Sequence, residues 1–149
     1  MTKTPDSQVA IITGAGSGIG KHASILLAQH GVKTFLIDFD SVSGQNTADH
    51  IIKSGGESFF EKVDVSQPDQ MEKAVNKCIE LYGGLDIGVN SAGIAGAREL
   101  THSYSISDWN KLIEINLTGV FISMKYQITK MVANGSGRIV NISSIAGIV

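Results

Sequence analysis

Glycines at positions 14, 16, 18 and 20, in the stretch Thr13-Gly14-Ala15-Gly16-Ser17-Gly18-Ile19-Gly20, have the residue types and spacing to hold a phosphate. The run Val9-Ala10-Ile11-Ile12 before them is short, apolar and β-branched, as a buried strand is. Ile19, Ala23, Leu26 and Leu27 after them have the spacing of one helix face. A strand, a glycine turn and a helix start together make an anion site. The first helical N–H groups have no partner inside the helix, the dipole is positive there, and glycine lets a phosphate approach the backbone. Asp38 follows the glycines at about 20 residues, at the end of a second apolar run over 32–37. A carboxylate so placed accepts hydrogen bonds from ribose hydroxyls and repels a 2′-phosphate. Phe39 follows it and the loop carries Ser17, so no Arg or Lys stands beside it to offset the charge. These residues point to NAD rather than NADP; the alternative for Asp38 is a plain polar strand end.

Further polar residues close later strands. Asp64 and Val65 follow a third strand over 58–63. Asn90, Ala92 and Gly93 follow a fourth over 85–89, and Ser143 and Ser144 follow a fifth over 138–142. Ligands of parallel sheets bind at the carboxyl ends of strands, so all of these converge on one edge. Asp64 and Val65 are placed to meet an adenine, or Asp64 is a capping turn residue. Asn116 falls on an apolar helix stripe with Leu112, Ile113 and Val120. A buried Asn there needs partners, either a neighbouring main chain or a water.

The elements that must position these groups alternate along the whole chain. Helices are predicted over 43–53, from Ser66 as cap through Pro68 to Tyr82, and as one long helix from near Asp108, capped by Ser107, to Asn134-Gly135. Met71, Ala74, Val75, Cys78, Ile79 and Tyr82 form the apolar stripe of the second. Uninterrupted alternation predicts a doubly wound parallel α/β sheet with strand order 3-2-1-4-5 in a single domain over 1–149. A 42% hydrophobic content suits such a core, and a net charge of −2 gives no electrostatic case for nucleic acid or an anionic membrane. No run is long enough to span a bilayer, and the polar residues 1–8 lack a signal-peptide core, so a cytoplasmic setting is expected. The single Cys78 reads as a core residue; His22, His30, His50 and His102 are scattered, read as surface or helix-end residues, and no metal site is expected.

Taken together, the chain resembles the short-chain dehydrogenase/reductase family, with a Rossmann-like fold. The matching residues are Thr13-Gly14-x-x-x-Gly18-Ile19-Gly20, Asp38, Asp64-Val65, Asn90-x-Ala92-Gly93, Trp109 to Asn116 with Leu117-x-Gly119, and Gly137-Arg138-Ile139-Val140-Asn141-Ile142-Ser143-Ser144. The resemblance implies that the glycines hold a pyrophosphate and that Asp38 selects NAD. It places Asn116 in the catalytic set and gives Ser144 a hydrogen bond to the substrate oxygen, with Ser143 its structural neighbour. It implies a small-molecule alcohol or ketone as substrate and a homodimer or homotetramer for the parent protein.

The sequence departs from the family in three places. Ser91 stands where a second Asn is usual. Gly88 stands where a large aliphatic is usual, which predicts weaker packing of the fourth strand. No Tyr, with Lys four residues on, follows Ser144; in the family that Tyr is the general acid/base and the Lys lowers its pKa. Tyr82, Tyr104 and Tyr126 all precede the serines and are not expected to substitute. The chain therefore reads as the N-terminal part of an oxidoreductase, ending before the family's sixth and seventh strands, with an apolar stretch over 146–149 unlike a natural terminus. A non-catalytic dinucleotide-binding module and a methyltransferase-like nucleoside binder are the alternatives.

Overall fold

The computed structural model describes Thr4 and residues 7–144. The expectations for residues 1–3, 5–6 and 145–149 lie outside that range. Five parallel strands, β1 (Val9–Thr13), β2 (Lys33–Asp38), β3 (Ser58–Lys62), β4 (Ile87–Asn90) and β5 (Arg138–Asn141), form one sheet in the order β3-β2-β1-β4-β5. Helices α1 (Gly18–Gln29), α2 (Ser41–Lys53), α3 (Pro68–Tyr82), α4 (Ile106–Ile113) and α5 (Gly119–Ala133) connect them.

The period of two in β1 explains the double winding. Val9 and Ile11 pack with Phe35, Ile37, Val75, Cys78 and Ile122 on the face covered by α3 and α5. Ala10 and Ile12 pack with Leu36, Ala28, Ala48 and Ile51 on the face covered by α1 and α2. Every residue of β1 is buried, as a central strand between two helix layers must be. Each large aliphatic so buried contributes about 1.5–3 kcal/mol. The predicted α3 stripe is correct: Met71, Ala74, Val75 and Cys78 are buried, with Ile79 and Tyr82 partly buried beside them. All four histidines are exposed.

Several local expectations are corrected. Ser66 does not cap α3; the cap position is Gln67, and the Ser66 hydroxyl donates to Asp64 Oδ1 at 2.7 Å in a turn that also brings Ser66 N–H to the same oxygen at 3.0 Å. The Ser66 hydroxyl thus belongs to the turn ahead of the helix, and Gln67 at the cap position makes no side-chain cap bond. Ser105, not Ser107, caps α4, taking Asp108 N–H, while the two serine hydroxyls bond each other at 2.6 Å. The predicted long helix exists, but α4 and α5 are joined through a wider π turn, Glu114–Thr118, with helical backbone throughout. A residue is in effect inserted there, which shifts the face presented by Asn116. Among the described residues no helix is long and apolar enough to cross a membrane, and no group of three metal-ligating side chains is present.

Candidate nucleotide-binding and active site

Tight βα turns at the carboxyl edge of the sheet open a cleft of about 680 Å³. Its first wall is the glycine turn. Gly14 has φ +68°, and a Cβ there would sit 2.8 Å from Ala92 N, so only glycine lets the turn after β1 lie against the turn after β4. Thr13 locks the two turns together: its Oγ1 accepts Ser91 N–H and Ala92 N–H, each at 3.1 Å. A Cβ on Gly20 would run into the Gly14 carbonyl, so Gly20 brings α1 close under the turn. Gly18, at φ +49°, has nothing within 4 Å of where a Cβ would be. That open space lies at the N-terminus of α1, where Ser17 holds the cap position without a side-chain bond. An anion therefore has both room and amide donors.

Asp38 ends β2 and faces this turn. Its Oδ2 takes Gly16 N–H at 2.8 Å and its Oδ1 takes Asp40 N–H at 2.9 Å. A Cβ on Gly16 would stand 3.0 Å from that Oδ2, so the second glycine of the turn admits the carboxylate. Asp40 caps α2 through Val42 and Ser43, and the Ser43 hydroxyl and amides hold its carboxyl below the usual range. Asp38, Asp40 and Asp64 all line the cleft with Lys111. A second cation stands close by: Lys62 is paired with Asp38 across β2 and β3, lies 5.3 Å over the Phe39 ring and acts on the Asp40 carboxyl, which corrects the expectation that no Lys stands beside Asp38. Phe39, Val63, Val65 and Ile115 supply apolar surface at the same end, and Ile19 adds more beside the glycine turn.

The structure divides the residues singled out in the sequence. Gly14, Ser17, Gly18, Ile19, Asp38, Asp64, Val65, Ala92 and Gly93 line the cleft. Thr13, Gly20 and Asn90 stand behind it. The Asn90 side chain turns away and is buried, bonded to Asn141 Oδ1 at 2.8 Å and to the Gln127 amide. Asn116 is exposed, on the π turn rather than in the apolar stripe, and its neighbour is main chain. Ile94 N–H donates to its Oδ1 and its Nδ2 donates to Ile94 O, both at 2.9 Å. Ser144 follows β5 in exposed chain, two residues past the cleft-lining Ile142. Tyr126 and Lys130 have the four-residue spacing of a Tyr–Lys pair. They lie on α5 before the serines, with Tyr126 half-buried against the core. Phe39, Asp40, Ser91, Ile94, Lys111, Ile115 and Ile142 were not singled out as cleft residues. Lys111 and Ile115 had a signal, being four apart on a helix entering the site; the others depended on loop geometry.

The short chain dehydrogenase family profile matches residues 8–149. The chain belongs to the short-chain dehydrogenase family. It is 40% identical over 149 residues to a cyclohexanol dehydrogenase of Acinetobacter sp. (strain SE19), covering 100% of this chain and 59% of that protein. It is 38% identical to a mitochondrial borneol dehydrogenase of Lavandula x intermedia, over 95% of this chain and 53% of the relative. Among solved structures, an NAD+-bound xylitol dehydrogenase superimposes with TM-score 0.95 at 29% identity, over 98% of this chain and 56% of that one. This short-chain dehydrogenase chain thus spans about half the length of the curated relatives it matches.

Proposed function

We propose that this chain is the nucleotide-binding part of an NAD-dependent oxidoreductase that moves hydride between the nicotinamide and a carbonyl/alcohol carbon of a small alcohol or ketone. The observation that carries the reading is Asp38, held by Gly16 N–H at the mouth of the glycine turn and flanked by two more carboxylates. NAD, when bound, supplies the hydride acceptor or donor. Amides at the start of α1 hold the pyrophosphate, and Asp38 accepts from the adenosine ribose. Asp64, Val65, Phe39 and Ile115 border the adenine. The Ser91–Gly93 turn carries the other end of the cofactor. Ser144 donates a hydrogen bond to the substrate oxygen. Asn116 holds the helix entering the site against the strand-4 turn through its paired bonds to Ile94.

Fluorescence titration tests the cofactor: tighter binding of NADH than of NADPH is expected, and the reverse order sinks the proposal. The relatives' names make cyclohexanol the first alcohol to try on a longer protein carrying this chain. The 149-residue chain by itself is expected to bind NADH and to reduce no NAD, because no tyrosine in it follows Ser144 to move the proton. General acid/base groups contribute about two to four decades of rate. Steady NAD reduction by the purified chain at rates typical of enzymes would contradict this.

A further inference from the structure

Gly88 and Gln127 are two unusual choices that explain each other. Gly88 sits inside β4, where a side chain would normally pack against the helix layer. Gln127 sits on α5, fully buried. A Cβ on Gly88 would stand 2.5 Å from Gln127 Oε1 and 2.9 Å from its Cδ, so the missing side chain is the room that the Gln amide occupies. Strand 4 is therefore not loosely packed, as a bare glycine suggested; its volume is filled from the helix.

An aliphatic side chain would fill that volume without burying an amide, and a buried amide is tolerated only when its donors and acceptor are matched. Here they are matched to one residue. Gln127 Nε2 donates to Asn90 Oδ1 at 3.0 Å, and Asn90 Nδ2 donates back to Gln127 Oε1 at 3.3 Å. The same Nδ2 donates to Asn141 Oδ1 at 2.8 Å, and Asn90 and Asn141 are paired across β4 and β5. The main chain repeats the link, with Ile142 N–H donating to Asn90 O at 2.9 Å. Asn90 is the last residue of β4, and the turn it launches lines the cleft. Asn141 is the last residue of β5, two positions before Ser143.

We propose that Gln127 is a positioning residue: from the buried face of α5 it fixes, through Asn90 and Asn141, the strand-4 and strand-5 turns that border the nicotinamide half of the cofactor. The adenosine half depends on Asp38, Phe39, Asp64 and Val65, none of which touches this network. The inference rests on the nucleotide reading above.

The test compares NAD with AMP, titrated calorimetrically into the 149-residue chain and into Gln127→Leu, with a thermal melt of each. AMP uses only the adenosine half. Gln127→Leu is expected to weaken NAD binding roughly tenfold, the weight of a buried amide left unpaired, with AMP affinity changed less than about twofold. If NAD and AMP weaken together, or NAD binding is unchanged, Gln127 is only a packing residue and the proposal fails. Should Gln127→Leu not fold, Asn141→Ala removes one link from an exposed position, and the same NAD-selective loss, smaller in size, is expected. An equal loss of both ligands, or none, again overturns it. A wild-type chain that binds neither NAD nor AMP refutes the nucleotide reading itself, which is a separate outcome from an unselective effect of the substitutions.

Discussion

Asp38 holds two backbone amides, Gly16 N–H on Oδ2 and Asp40 N–H on Oδ1, before any ligand arrives. Its orientation is thus fixed in advance, and little ordering is left for a ribose to impose. Asp38→Ala removes the acceptor and the repulsion together. A hydrogen bond to a charged group is worth about 1.5–3 kcal/mol, so NADH affinity is expected to fall roughly tenfold or more while NADPH affinity changes little or rises. Parallel titrations with the two nucleotides measure this, and an unchanged preference would remove Asp38 from the specificity argument. Cys78 makes a second prediction at this scale. Burial pushes its thiol up from 9.0 to about 12, and burial followed by the Glu57 charge raises the Tyr82 phenol as well. In the unfolded chain these groups lose their protons at lower pH than in the folded one. Between pH 9 and 12 the unfolded state binds fewer protons, so stability is full below about 9 and falls as pH rises. Urea melts at pH 8 and pH 10.5 should show the decline, and Cys78→Ala should flatten it. A thiol reagent at pH 7.5 should label Cys78 only on unfolding.

At the scale of elements, the exchange between β4 and α5 is open to a double-mutant cycle. Gly88→Leu alone drives a side chain into the Gln127 amide, an overpacking that costs about 1–3 kcal/mol. Gln127→Ala alone leaves a cavity and takes the Gln127 amide from Asn90 Oδ1. Together they exchange the large and small positions, so the double variant should be more stable than the sum of its parts by about 1 kcal/mol or more. Additive losses in denaturant melts would show that the two sites are independent. None of this pairing was legible in the sequence, because the partners are distant in the chain and a lone Gln on a helix stripe carries no sign of what faces it. The sheet order was legible: five short apolar runs separated by helical patterns leave few right-handed parallel arrangements. Boundaries were less so. β4 begins at Ile87 rather than at Leu85, since Leu85 buries its side chain ahead of the first ladder bond. Asn116 was misplaced for a plain reason: a straight helix puts it among Leu112, Ile113 and Val120, and only the π turn, invisible in spacing, rotates it toward Ile94.

For the whole molecule, the exposed faces dominate behaviour in solution. β5 forms one edge of the sheet, with Val140 half-exposed, and α5 presents Phe121, Ile128 and Val132 to solvent. Unpaired edges with β-branched residues recruit other chains, and only Arg138 blunts this one. The 149-residue chain is therefore expected to self-associate at micromolar concentration; light scattering that shows a monodisperse monomer would contradict it. One further consequence lies in the order of synthesis. The Thr13 hydroxyl bonds the amides of Ser91 and Ala92, 78 and 79 residues later in the chain. At roughly 5–20 residues per second, a ribosome needs about 4–16 s to deliver them. Late in that interval β1 can pair with β2 but has an open flank where β4 belongs, so Asp38, Asp64 and Val65 are already made while the Ser91–Gly93 turn does not yet exist. Nascent chains halted before residue 90 should protect β1 and β2 from protease while leaving that flank available to chaperones.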